Sequence, residues 1–207
     1  KPIPMPPSGT PALVGGMPAE EFRRAAHEAV EWIVNYLVNI RDYPVLAQVE
    51  PGALADSLPG TAPEQGEPFD AIFEDFRRLI VPGITHWNHP RFFAYFAISG
   101  SAPGILAEML AAALNANGML WKSSPAVTEL EQVALGWLRQ WVGLPESFFG
   151  ITYDTASLST LHAIAAARES ADPQARTQGA SPNLVLYCSG QAHSSVEKAG
   201  RMLGMEV

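Results

Sequence analysis

The chain has 207 residues, 47% of them hydrophobic, and a formal net charge of −8. Its 13 Lys and Arg residues are scattered, which excludes a nucleic-acid backbone as partner, because such partners select clustered cations. No run reaches the roughly 18 apolar residues that a membrane span requires.

KPIPMPPSGTPALVGG (1–16) is a Pro- and Gly-rich arm without a core of its own, and it lacks the basic-then-apolar order of a secretory signal. Lys1 in place of an initiator methionine predicts that some N-terminal sequence precedes it. A helix is predicted from Pro18, a residue suited to a first turn, with Glu20 and Glu21 near its positive end. Phe22, Ala26, Ala29, Ile33, Tyr36 and Ile40 give it one apolar stripe. After a loop rich in Pro and Gly, Phe69, Ile72, Phe73, Phe76 and Leu79 mark a second amphipathic helix. Two such stripes cannot cover each other fully, so these helices are expected to pack on another body, a second copy included.

HWNHPRFFAYF (86–96) is dense in aromatics, which fit either core packing or the wall of an apolar pocket. His86 and His89 stand three apart, but with no Cys or acidic ligand nearby the case for a metal is thin, and none is expected. GSAPG (100–104) displaces its serine from a GxSxG elbow, so a serine hydrolase is unsupported. PGILAEMLAAALNA (103–116) reads as a buried helix. Another helix follows Ser124 as N-cap and Pro125 as first residue, with Leu130, Val133, Trp137, Leu138 and Trp141 on its apolar face and Gly143 at its end.

From there the rhythm becomes β-α-β-α-β. FGITY (149–153), LVLYC (184–188) and MEV (205–207) read as strands, with helices between them, which predicts a parallel α/β sheet with crossover helices. The single cysteine, Cys188, falls in the second strand, cannot close an internal disulfide, and fits a reducing, cytoplasmic setting. Three short parallel strands would leave both sheet faces uncovered. Residues 1–207 are therefore expected to be one part of a larger fold.

Two strand-to-helix turns carry the candidate chemistry. YDTASLST (153–160) opens a helix with small residues, where free amides can bind an anion. Asp154, Thr155 or Ser157 can equally be a plain cap. No GxxxxGK[ST] or GxGxxG is present. In SGQAHSSVEKAG (189–200), Ser194 and Glu197 match a capping box. The box leaves His193 unexplained at the carboxyl end of a strand, where open α/β sheets bind ligands, although a structural histidine is the commoner case.

Four stretches, THWNHPRFFAYF (85–96), SSPAVTELE (123–131), DTASLSTLHAIAAARE (154–169) and QAHSSVEKAG (191–200), together resemble the group II pyridoxal-phosphate-dependent amino-acid decarboxylases, the family of aromatic L-amino-acid decarboxylase. The resemblance implies a fold type I PLP-dependent transferase-like α/β architecture. Residues 17–102 would be an N-terminal helical dimerisation segment, and 103–207 the first part of the mostly parallel large domain, incomplete at Val207.

It implies pyridoxal 5'-phosphate as cofactor, bound at Thr155, Ala156 and Ser157, with His193 stacked on its ring as the catalytic residue. Trp87, Tyr95, Phe96 and Ile98 fall at the substrate pocket, and Asn117 and Met119 where residues reach into a partner's pocket. The expected reaction is decarboxylation of an L-amino acid with an aromatic side chain by a cytoplasmic homodimer. The Schiff-base lysine would come from a portion not in this chain, since Lys1, Lys122 and Lys198 match no such position. The sequence departs from the family at Asp154, where glycine is common, and at Ile98, where threonine is common. The alternatives are a non-catalytic dimerising subunit of the same fold and an amine-oxidising aldehyde synthase.

Overall fold

A computed structural model describes Leu13 and residues 16–96, 98–179 and 183–207. Most of the predicted arm over 1–16 lies outside the described residues. The chain divides into two compact units, Lys1–Met109 and Leu110–Val207.

In the first unit, α1 (Ala19–Val38) begins immediately after Pro18, with Glu20 and Glu21 in its first turn. Its packed face centres on Ala25, Trp32 and Tyr36. Phe22, predicted on the apolar stripe, is instead 53% exposed. A short α2 (Ala53–Ser57) interrupts the following loop. The second amphipathic segment forms as α3 (Phe69–Asp75), then widens into a π-helical turn over Phe76–Ile80 and tightens into a 3₁₀ turn over Val81–Gly83. Trp32 meets Phe73 and Phe76 edge-on, with ring centroids 6.4 and 4.9 Å away. Phe73 is buried and contributes about 1.5–3 kcal/mol by leaving water. Arg24 binds Asp70 at 2.8 Å and Arg77 binds Glu28 at 3.1 Å, but these pairs are exposed and add little. Val34, Val38 and Ile72 remain on the surface, as expected of stripes that cannot cover each other.

The helix predicted over 103–116 forms as α4 (Ala102–Leu114), but it is not buried. Leu106, Met109, Leu110 and Leu114 are all exposed. Its apolar composition was legible, whereas the surface meant to cover it was not.

In the second unit, α5 (Pro125–Trp141) starts at the predicted proline and gives way to Gly143 at φ 74°. Its apolar face, Leu130, Val133, Trp137, Leu138 and Trp141, is exposed throughout. α6 (Ala156–Ala171), a short α7 (Ala175–Gln178) and α8 (Ser194–Met202) follow.

The parallel sheet is the main correction. Among the described residues no strand forms; the sheet is reduced to one parallel bridge, Val185 to Glu206, with the Leu186 amide donating to Glu206 O at 2.7 Å. A strand is a relation between two segments, and residues 149–153 have no such neighbour among the described residues. Thr152 instead donates its amide (2.8 Å) and hydroxyl (2.5 Å) to the Glu131 carboxylate of α5. These two bonds, the hydroxyl's first, hold the Glu131 carboxyl below its usual range.

α8 lies flush on the bridged segments at Gly200, where a Cβ would stand 2.5 Å from Val207 Cγ2 and 2.9 Å from Leu186 Cδ2. Only glycine fits there without movement. Arg168 of α6 donates to the Leu203 carbonyl at 3.0 Å, tying the two helices at their far ends.

Candidate functional site

The two turns singled out in the sequence meet. Ser157, Leu158 and Leu161 of α6 and Ser194, Ser195, Lys198, Ala199 and Met202 of α8, together with His193 just before it, line one cavity of about 220 Å³. Ser157 and His193 are thus on the same side of the unit.

The α6 turn is built by Thr155. Its backbone is extended (φ −139°, ψ 153°) and its hydroxyl oxygen accepts from the Leu158 amide at 3.2 Å. That assigns the cap to Thr155, leaving Asp154 an exposed carboxylate with no hydrogen bond among the described residues. The Ala156 and Ser157 amides meet no protein acceptor among the described residues, so two donors stay open at the positive end of a 16-residue helix. Tyr153 stacks on His162 at 4.3 Å and fixes the chain as it enters the turn.

The α8 turn corrects the sequence reading. Ser194 does not cap; it is the first helical residue, and the N-cap is His193, whose side chain accepts from the Ser195 amide. Glu197, expected to close the box, pairs with Arg201 at 2.5 Å instead. His193 Nδ1 lies 3.2 Å from the Ser195 amide and 2.9 Å from its hydroxyl. An amide can only donate, so Nδ1 carries the lone pair and the neutral ring carries its proton on Nε2. Ser195 itself is 9% exposed. This residue was missed in the sequence, where the S-x-x-E pattern drew the cap one residue too far.

Among the predicted pocket residues of the first unit, Trp87 stacks on Tyr95 at 5.6 Å and 4° and on buried Phe92 at 4.7 Å. Tyr95 adopts φ 56°, a left-handed conformation uncommon for an aromatic residue. Phe96 and Ile98 stand exposed at 92% and 72%, without ring contacts among the described residues. In the second unit Asn117 Oδ1 accepts from the Met119 amide at 2.9 Å, so these two share one tight turn.

His86 and His89 both turn inward. His86 is 2% exposed, its Nδ1 bonded to the Tyr36 hydroxyl at 2.8 Å, its ring against Tyr36 and Tyr43. Burial, and then the neighbouring His89, push its imidazole below the usual histidine range. His89 Nδ1 accepts from the Arg91 amide at 3.0 Å. Among the described residues no three His, Cys, Asp or Glu side chains gather as metal ligands do.

An open helix start and a fixed imidazole thus line one cavity, and free amides at a helix start are able to bind an anion. The pyridoxal-dependent decarboxylase conserved domain matches residues 51–207, and the chain belongs to that family. It is 43% identical to the aromatic-L-amino-acid decarboxylase of Bos taurus over 206 residues, covering 92% of this chain and 42% of the relative. Two solved structures share its fold. They are tryptophan decarboxylase of Catharanthus roseus in complex with L-tryptophan (42% identity, TM-score 0.82, covering 90% of this chain and 40% of that one) and 4-hydroxyphenylacetaldehyde synthase of Rhodiola rosea (37%, 0.82, 91% and 41%). The chain therefore spans less than half the length of these relatives.

Proposed function

We propose that the complete protein decarboxylates an L-amino acid with an aromatic side chain, using pyridoxal 5'-phosphate, to give the amine and carbon dioxide. The observation that carries this reading is the shared cavity of Ser157 and His193.

The residues present fit the cofactor. The unclaimed Ala156 and Ser157 amides and the Ser157 hydroxyl can hold its phosphate, with Thr155 keeping the turn open. Asp154 opposes that charge, so the amides and the helix end must outweigh one carboxylate. His193 lines the same cavity, and its Nε2–H would hold a proton for the carbon that loses carbon dioxide. Bound there, pyridoxal phosphate supplies an electron sink for the pair released with carbon dioxide.

Trp87, Tyr95, Phe96 and Ile98 are assigned to the substrate's side chain. Asn117 and Met119 are assigned to the pocket of a second copy. Ile98 offers no hydroxyl to the substrate carboxylate, so that contact must come from elsewhere. The exposed apolar faces of α1 and α5 support a homodimer, with residues 17–102 as its dimerisation segment and 103–207 as the start of the large, sheet-containing domain. The lysine that holds the cofactor is assigned to a portion outside this chain. A cytoplasmic setting rests on the single exposed thiol, Cys188.

The likeness to 4-hydroxyphenylacetaldehyde synthase favours one second reading, amine oxidation to an aldehyde. The two readings separate on products. The complete protein, incubated with pyridoxal phosphate and L-tryptophan, L-tyrosine or L-phenylalanine in turn, is expected to release carbon dioxide and amine in equal amounts. Aldehyde with ammonia and hydrogen peroxide would establish the second reading, and no product from any of the three would refute the aromatic assignment.

A further inference from the structure

Ser195 is a buried polar residue at the cavity that the proposed mechanism does not use. It sits in the first turn of α8 with its amide and its hydroxyl both aimed at one atom, His193 Nδ1. An imidazole nitrogen has a single in-plane lone pair, and one donor satisfies it. A second partner on the same atom calls for an explanation.

The two partners differ in what they tolerate. The amide can only donate, so by itself it permits only an Nδ1 without a proton. The hydroxyl can donate or accept. When the ring is neutral the hydroxyl donates to Nδ1 alongside the amide. When the ring holds a second proton, Nδ1–H donates to Oγ across the same 2.9 Å after the hydroxyl hydrogen turns away. Ser195 is buried, at 9% exposure, so its hydroxyl is held in place beside Nδ1 in either state.

We propose that Ser195 is a positioning residue for His193: its hydroxyl keeps Nδ1 partnered in both proton states, so that Nε2 alone faces the cavity as the proton-handling atom. This rests on the reading of His193 given above and extends it to the atom that supports the ring. Ser195 shares the cavity wall, but the role proposed for it is exerted through the imidazole.

The test uses the complete holoenzyme and its Ser195→Ala, Ser195→Thr and His193→Asn variants. Two quantities are read, steady-state kinetics and the ring-nitrogen shifts of 15N-histidine-labelled protein, with His193→Asn identifying the resonance. Wild type is expected to show His193 with its proton on Nε2. Ser195→Ala should lower kcat about tenfold or more, as expected when a positioned proton donor loses its support. KM should stay within about threefold. The neutral His193 ring should keep its proton on Nε2 through the residue-195 amide, while the doubly protonated ring, deprived of its acceptor, should be less populated than in wild type at the same pH; Ser195→Thr should restore both quantities.

Wild-type kcat and unchanged shifts in Ser195→Ala, with turnover still lost in His193→Asn, would overturn the role of Ser195 and leave the decarboxylase reading standing. A wild-type ring protonated on Nδ1 would overturn it as well. Wild-type turnover in His193→Asn would bring down the reading of His193 on which it rests.

Discussion

His86 and His193 make nearly the same hydrogen bond in different surroundings. Each has Nδ1 held by a hydroxyl, that of Tyr36 at 2.8 Å or that of Ser195 at 2.9 Å. His86 is sealed among Tyr36 and Tyr43 at 2% exposure, whereas His193 is exposed and lines a cavity with an open helix start. A hydrogen bond alone does not distinguish a structural histidine from a chemical one. What the remaining nitrogen faces does.

The widest separation is expected from alanine at each position. His193→Ala should lower kcat of the complete enzyme by a hundredfold or more, the scale of a lost general acid. It should cost only about 1 kcal/mol of stability through the missing cap. Enzyme kinetics beside denaturant melts would show both, and a variant that melts badly while its folded fraction works normally would erase the contrast.

His86→Ala should behave in the opposite way. It empties a buried site and leaves the Tyr36 hydroxyl without its partner, at a cost of about 3 kcal/mol. Turnover per folded molecule should change less than in His193→Ala. A stability loss below about 1 kcal/mol would show that the aromatic cluster does not depend on the imidazole.

The smallest effect concerns pH. Burial lowers the affinity of His86 for a proton in the folded state. The unfolded chain therefore binds more protons once pH falls below about 6.5, and stability declines from there towards the folded value. Melting temperatures between pH 7.5 and 5 should fall more steeply for wild type than for His86→Ala, and equal slopes would remove His86 from the acid response.

Much of this was legible in the chain because helix starts are written locally. Pro125 and the small residues after Thr155 mark their helices directly; Ser157 and His193, paired only by the family resemblance, line one cavity in the structure. Other features are relations between distant segments. FGITY has strand composition, yet its Thr152 groups go to Glu131 because no strand lies beside it among the described residues. The S-x-x-E box failed because His193 itself takes the N-cap position, its Nδ1 accepting from the Ser195 amide, while Glu197 pairs with Arg201. Phe73 and Phe76 both reach Trp32, as their three-residue spacing predicts, whereas the π-helical turn that follows over Phe76–Ile80 is not written in that spacing.

Gly200 has a role beyond local packing. A Cβ there would have to push aside the side-chain methyls of Val207 or Leu186, so the helix is seated closely on them only because position 200 is glycine. That seat lies seven residues beyond His193, about two helical turns. The seating of the helix that carries His193 thus depends on a missing methyl group, and a Cβ at position 200 would disturb it from the side facing Val207 and Leu186.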